Sequence, residues 1–213
     1  MDEPPPHALL VGGTGMLAGV ALHLARGGHV VSVIARDPTK LAALAAEAAG
    51  LPGRVNPLAL DYGDDERLRH AIMQAIAEYG PLVLAVTWIR PEAPRALDIV
   101  AACADSGGGE GAPARCRFFR ILGSAAADPA LRRSGRGARY RAREGLAYRE
   151  IILGFRIEGG RSRWNSNTEI AAGVIEAIER DLPEYVVGVV RPWEMNPRLR
   201  TEGRGDAPPT PDG

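Results

Sequence analysis

The sequence predicts an α/β fold, a single doubly wound parallel sheet of about seven strands with helices on both faces. Apolar segments of strand length alternate with longer helical patterns, which is typical of a parallel sheet. The 213 residues suffice for one substantial domain with a buried core, and two domains would be cramped. Hydrophobic residues make up 46% and charged residues 24%, the composition of an ordinary globular protein.

Helix-terminating and helix-starting residues bound the elements of the first half. Gly27 and Gly28 close the first helix, Pro38 suits the first turn of the second, and Asp64 caps the third. In chain order the sequence predicts a strand over 8–11, a helix over 15–26, a strand over 29–35, a helix over 38–49, a strand over 55–60, a helix from 64 to 79 and a strand over 82–86.

The second half alternates in the same way but is interrupted twice. Ser166 and Glu169 form a capping box that opens the last long helix. The predicted elements are a helix over 94–104, strands over 117–122 and 148–157, a helix over 167–180 and a strand over 185–190. The interruptions are a Gly-rich loop over 106–114 and an Arg/Gly-rich insertion, about 125–147, expected to be flexible or weakly helical. The domain is thus expected to span 1–200, followed by a disordered tail over 201–213.

A glycine-rich turn between the first strand and the first helix is the strongest motif. One glycine there would adopt positive φ in the sharp turn, and a second would lack Cβ so that a pyrophosphate can approach the backbone. A small residue at 18 or 19 would let the helix pack closely, and the helix N-terminus would attract the phosphates. The motif sits between a strand and a helix, as its function requires, and so predicts a dinucleotide-binding Rossmann unit. The residues expected to bind the cofactor are Gly12, Gly13, Thr14, Gly15, Met16 and Leu17.

The end of the second strand favours NADP(H) over NAD(H). NAD-binding units usually place Asp or Glu there to accept hydrogen bonds from the ribose hydroxyls, but this chain has Ala35. Arg36 follows, and a guanidinium suits bidentate binding of a 2′-phosphate; a solvated surface arginine is the alternative. Asp37 is either a ribose ligand one residue out of place or a cap for the next helix, and we favour the cap.

Further candidates follow the later strands, at the carboxyl edge where open α/β sheets bind ligands. Asp61 is either close to the adenine pocket or a cap for the next turn. Ser124 is either a catalytic or substrate-binding residue or a loop serine. Trp88 and Trp164 could wall a substrate pocket or simply pack over the sheet edge.

These residues resemble the short-chain dehydrogenase/reductase superfamily. The resemblance covers about residues 8–193, and only the first ~60 are specific. It implies a sheet of about seven strands and hydride transfer between NADP(H) and a carbonyl or alcohol, with Ser124 as the serine after strand five. Late helices in the family often make dimer or tetramer contacts, which leaves a homo-oligomer open. The matching segments are Gly12–Gly19, Val33–Arg36, Leu60-Asp61 and Leu122–Ser124, and short bacterial members also match at Val86–Ile89, Tyr148–Phe155 and Ser162–Trp164.

The sequence departs from the family at its catalytic pair, a tyrosine followed four residues later by a lysine. Tyr140 is followed by Glu144 and Tyr148 by Ile152, and the only lysine, Lys40, lies in the second helix. Arg143 follows Tyr140 by three residues, but arginine does not release its proton. The sequence therefore predicts an altered active site without an assigned proton donor, or alternatively a catalytically silent dinucleotide sensor or interaction module.

Several other classes of function are not expected. The formal net charge is zero, which gives no support to nucleic acid or an anionic membrane as a partner. The four histidines and two cysteines have no ligand spacing, so no metal site is expected. No segment resembles a signal peptide or a membrane span, and a cytoplasmic location is the default expectation. The partners expected are the dinucleotide and a small-molecule substrate that the sequence does not identify.

Overall fold

The computed structural model describes residues 4–105, 116–127 and 137–201, and within them the chain alternates strands and helices as predicted. The strands are β1 (His7–Val11), β2 (Val30–Ala35), β3 (Arg54–Ala59), β4 (Leu82–Thr87), β5 (Cys116–Leu122), β6 (Leu146–Leu153), β7 (Phe155–Glu158), β8 (Arg161–Trp164) and β9 (Glu184–Val187). The helices are α1 (Ala18–Arg26), α2 (Pro38–Glu47), α3 (Asp65–Tyr79), α4 (Pro94–Asp105), α5 (Ala138–Arg141), α6 (Asn167–Glu179) and α7 (Pro197–Thr201).

Seven strands form one sheet in the order β3-β2-β1-β4-β5-β6-β9, and every neighbouring pair is parallel. This confirms the predicted doubly wound sheet of seven strands. Because the order runs outward in both directions from β1 and β4, the carboxyl ends of these two strands flank the point where the winding reverses. Open α/β sheets bind their ligands in the crevice at such a point.

The core consists of two apolar layers, one on each face of the sheet. Side chains alternate between them along each strand, so that Leu10 joins one layer and Leu9 the other. Helices α1, α2 and α6 cover the first face, while α3, α4 and α5 cover the second. Both faces of the sheet are thus shielded, and its carboxyl edge lies between the two helical layers.

The largest difference from the sequence-based prediction lies between residues 148 and 157. The predicted single strand is wrong: β6 ends at Leu153, and β7 pairs antiparallel with β8 as a hairpin. Gly154 separates the two strands, and a Cβ atom there would overlap the carbonyl oxygen of Val189. The chain therefore turns out of the main sheet at a glycine that packs directly against backbone, a contact with a distant residue that the local sequence does not show.

Two further boundaries differ by three residues each. Helix α1 begins at Ala18 instead of Gly15, because the turn after β1 continues to Leu17. The last strand of the sheet ends at Val187, three residues before the predicted end, and Gly188 follows with φ +80°.

The insertion predicted over 125–147 is described only at its ends. Ser124–Ala127 forms a 3-10 turn, and α5 carries Tyr140, which is buried on the second face of the sheet. Residues 128–136 lie outside the described ranges, as do the Gly-rich loop predicted over 106–114 and nearly all of the tail predicted over 201–213. No described helix is long and apolar enough to cross a membrane.

A buried histidine ties the amino end of the sheet together. His7 Nδ1 donates to the carbonyl oxygen of Gly80 at 2.8 Å, and its Nε2 lies 2.9 Å from Ser32 Oγ. The Nε2 atom accepts from that hydroxyl in the neutral ring, and Ser32 Oγ in turn accepts from Asn56 Nδ2 at 3.0 Å. Burial lowers the pKa of His7 below its ordinary value of 6.5.

We expect this histidine to make stability depend on pH below neutrality. A His with a lowered pKa contributes fully above the unfolded value of 6.5, and the contribution is lost as the pH falls from there toward the folded value. Burial lowers the pKa of His29 as well, so both act in the same direction. Urea unfolding of the wild type and of His7→Gln between pH 5 and 8 should show a shallower pH slope in the variant. Equal slopes would contradict the assignment.

Candidate functional site

The turn after β1 is shaped by two glycines that face neighbouring strands. Gly12 has φ +82°, and a Cβ atom there would lie 2.7 Å from the carbonyl oxygen of Trp88. Its N–H donates to the Ile34 carbonyl on β2 at 2.9 Å. Gly13 is buried, and a Cβ atom there would overlap Val33 Cγ1. Both glycines therefore allow the turn to pass closely between β2 and β4, a packing role that the motif alone did not reveal.

The rest of the turn leads into an uncapped helix N-terminus. Thr14 and Gly15 are half-buried, whereas Met16 and Leu17 are buried with at most 5% exposure. Leu17 stands at the N-cap of α1 without a side-chain hydrogen bond, and the first turn of the helix contains no acidic residue. The backbone N–H groups of this helix start are thus left without a side-chain acceptor, which favours an anion.

Close packing of α1 depends on Gly19, but against a different partner from the one expected. A Cβ atom at Gly19 would lie 3.0 Å from the Cβ atom of Ala171 on α6. The small residue therefore allows helix–helix contact, where the motif had predicted contact between helix and sheet. Helix α6 fixes the position of α1, and with it the start of the glycine turn.

Two charged residues follow β2, Arg36 and Asp37, and they differ in whether their side chains have partners. Asp37 Oδ1 accepts from the N–H groups of Thr39 at 2.9 Å and Lys40 at 3.1 Å, which confirms it as the cap of α2. Arg36 is exposed and makes no hydrogen bond or ion pair to any residue in the described ranges. Since β2 lies beside β1, this guanidinium is positioned at the carboxyl edge next to the strand that carries the glycine turn.

The end of β3 contributes one predicted residue and one that the sequence reasoning missed. Asp61 is exposed, and its Oδ1 accepts from the Gly63 N–H at 2.9 Å, so it stabilises the turn that follows. Tyr62 reaches toward β4, where its hydroxyl accepts from the Arg90 N–H at 3.4 Å. Its ring also packs against the second-face core, so it links the loops after β3 and β4. No local pattern marks this tyrosine, because its partner is 28 residues away.

Trp88 crosses the carboxyl edge of the sheet. Its N–H donates to the Val11 carbonyl at 3.0 Å, which holds the residue against the end of β1. The side chain is half-buried and packs partly against the first-face core. Its Cδ1 atom lies 3.5 Å from the position of a Cβ atom at Gly12, and its Cη2 atom lies 3.9 Å from that position at Gly123. The indole therefore extends from the glycine turn after β1 to the segment after β5.

Ser124 stands at the other end of this indole. It follows Gly123 directly after β5, is 7% exposed, and begins the 3-10 turn that continues to Ala127. The Ala126 N–H donates to the Gly123 carbonyl at 2.9 Å, which closes the turn. The glycine turn, Trp88 and Ser124 thus lie in sequence along the carboxyl ends of β1, β4 and β5, whereas Arg36 and Asp61 lie on the opposite side of β1.

The two tyrosines that follow Ser124 in the sequence are core residues. Tyr140 and Tyr148 stack with ring centroids 5.3 Å apart, and Phe118 lies beside both. The Tyr140 hydroxyl donates to Asp98 at 2.7 Å, and the Tyr148 hydroxyl donates to the buried Glu150 at 3.0 Å. Burial raises the pKa of each tyrosine. Both rings lie in the second-face core and both hydroxyls donate to carboxylates, which does not suit a general acid acting at the sheet edge.

The remaining reactive groups of the described chain give no second centre. Cys103 and Cys116 are buried, and burial raises the pKa of Cys116 to about 12, so its thiol stays protonated. No group of His, Cys, Asp and Glu side chains in the described ranges could hold a metal ion. The hairpin β7–β8 is fixed by Arg163, which donates to both Glu158 and Glu169, and Trp164 pairs with Phe155 across it.

Several solved structures share this architecture. A short-chain type dehydrogenase/reductase from Mycobacterium marinum is 17% identical, with a TM-score of 0.65 over 90% of this chain and 96% of that chain. An NADH-dependent reductase A1-R′ complexed with NAD is 14% identical, with a TM-score of 0.66 over 87% and 96%. A bulky-bulky ketone specific alcohol dehydrogenase from Comamonas testosteroni is 13% identical, with a TM-score of 0.66 over 99% and 98%.

The sheet order and the glycine turn define a doubly wound α/β protein of the Rossmann class. Within that class, the chain has the fold of the short-chain dehydrogenases/reductases, which confirms the resemblance at the level of the fold. No protein-family model matches the chain, and no curated protein matches it.

Proposed function

We propose that the chain is an NADP(H)-dependent oxidoreductase of the short-chain type, acting on a carbonyl/alcohol pair through an altered active site. The observation that carries this proposal is the uncapped start of α1 after β1, together with an exposed, unpartnered Arg36 at the end of the neighbouring strand β2. Backbone N–H donors and a guanidinium thus follow two adjacent strands at the same edge of the sheet, which suits the phosphates of a dinucleotide.

The residues of the site fit such a cofactor. The backbone from Gly13 to Leu17 would hold the pyrophosphate, because the buried side chains of Met16 and Leu17 leave only main chain at the helix start. Arg36 would bind the 2′-phosphate with its guanidinium, and Asp61 would lie near the adenine end. A bound nicotinamide would supply or accept the hydride.

We assign Ser124 to substrate binding. Its hydroxyl is positioned after β5 at the carboxyl edge, where a hydrogen bond to a carbonyl oxygen would orient the substrate. Tyr140 and Tyr148 do not supply the proton, since their hydroxyls are held by Asp98 and Glu150. The chemistry therefore differs from that of a tyrosine–lysine pair.

A second function is favoured by the same buried tyrosines. A chain that binds the dinucleotide but has lost the acid–base pair would act as a sensor or interaction module. Such a protein would retain the glycine turn and Arg36 while its reductase turnover is absent.

One comparison tests both functions. We expect calorimetry to detect NADP(H) binding, and NADPH oxidation to proceed with members of a panel of ketones and aldehydes. Ser124→Ala should lower kcat at least about tenfold, the usual lower range for losing a positioned polar group. Tyr140→Phe should leave kcat unchanged, because it removes only the hydroxyl contacts with Asp98 and Arg139, away from the sheet edge. Binding without turnover would support the sensor, and no binding of either dinucleotide would overturn both.

A further inference from the structure

Trp88 lies between the glycine turn after β1 and Ser124 after β5. Its backbone N–H is held by Val11 on β1, and its Cδ1 atom lies against the glycine turn at Gly12. The far end of the indole, Cη2, lies against Gly123, one residue before Ser124. The ring is half-buried, so part of its surface stays accessible.

A dinucleotide that reaches from α1 to Ser124 has to pass this indole. The pyrophosphate would be held at the start of α1, and the reacting carbon of the nicotinamide has to approach a carbonyl bound at Ser124. The line between these two points crosses the carboxyl end of β4, where Trp88 directly follows the strand. Aromatic rings favour offset stacking on one another, so an indole in this position suits a nicotinamide ring.

We propose that Trp88 stacks on the nicotinamide ring and binds the oxidised cofactor more tightly than the reduced one. This inference rests on the proposed function. The oxidised nicotinamide is a cationic pyridinium, whereas the reduced ring is neutral. The face of an indole carries negative charge density and attracts cations more strongly than other aromatic side chains do. Trp88 therefore stabilises the oxidised state of the bound cofactor, which shifts the hydride-transfer equilibrium within the site toward carbonyl reduction.

The test compares dissociation constants for NADP+ and NADPH in the wild type, Trp88→Phe and Trp88→Leu. We expect Trp88→Leu to weaken NADP+ binding about 5- to 30-fold, the range of a partly desolvated cation–π contact, and NADPH binding by less than about threefold. Trp88→Phe should fall between. Trp193→Leu is the matched control, because it removes another half-buried tryptophan and should leave the ratio unchanged.

A spectroscopic readout separates stacking from a general loss of structure. In a Trp164→Phe, Trp193→Phe background Trp88 is the only tryptophan, and NADP+ should quench its emission. The ratio of the two dissociation constants is measured on the same preparation, so a partly unfolded variant affects both values equally. A Trp88→Leu variant with an unchanged ratio, or absent quenching at saturating NADP+, would overturn the stacking role alone. Failure of the wild type to bind either cofactor would overturn the proposed function itself.

Discussion

Gly12→Ala is expected to lower the free energy of unfolding by about 2–4 kcal/mol and to abolish most cofactor binding. Two separate costs add at this position. Gly12 has φ +82°, and the left-handed region costs an L-residue with a Cβ atom about 1–2 kcal/mol. The new Cβ atom would also lie 2.7 Å from the Trp88 carbonyl oxygen, so that backbone has to move. Because Trp88 is hydrogen-bonded to β1, its movement would distort the turn that receives the pyrophosphate.

Gly28→Ala is the matched control for that experiment. Gly28 has φ +84°, nearly the same as Gly12, but a Cβ atom there meets nothing within 4 Å. It should therefore incur only the conformational cost, about 1–2 kcal/mol, and should leave NADP(H) affinity unchanged. Chemical denaturation gives the two stabilities, and their difference isolates the contact with Trp88. Equal losses in the two variants would show that the close approach at Gly12 is absent in solution.

Elements with strong local signals were predictable from the sequence. Asp37 and Ser166 cap their helices as expected, because a cap depends on residues only two or three positions away. The parallel sheet was also predictable, because strands alternate with helices along the chain and the buried strands β1 and β2 consist mostly of apolar residues.

Features that depend on distant partners were not predictable. The break at Gly154 arises from contact with Val189, 35 positions away, which no local pattern in the sequence indicates. Two other features likewise arise only when separate strands meet at one edge of the sheet. Gly13 packs against Val33, and Trp88 extends from Gly12 to Gly123. The sequence indicated which loops would meet there, but it left open whether Trp88 packs or lines a pocket.

Arg36→Ala is expected to weaken NADP(H) binding about 10- to 100-fold and to change NAD(H) binding by less than about twofold. A charge-assisted hydrogen bond contributes about 1.5–3 kcal/mol, and only the cofactor with a 2′-phosphate can accept it. The neighbouring residues support this selectivity. Ala35 has no polar side chain, and Asp37 is engaged with α2, so neither offers a free carboxylate to a ribose hydroxyl.

Arg36→Lys and Arg67→Ala complete the experiment. Lysine keeps the positive charge but loses the planar fork, so its NADP(H) affinity should fall between those of the wild type and Arg36→Ala. Arg67 is an exposed arginine on α3, and its removal tests whether any lost cation weakens binding by long-range attraction alone. Isothermal titration with both cofactors measures each ratio. If Arg36→Ala keeps the wild-type ratio of NADP(H) to NAD(H) affinity, Arg36 does not bind the 2′-phosphate and the reason to prefer NADP(H) is lost. The glycine turn would still account for dinucleotide binding.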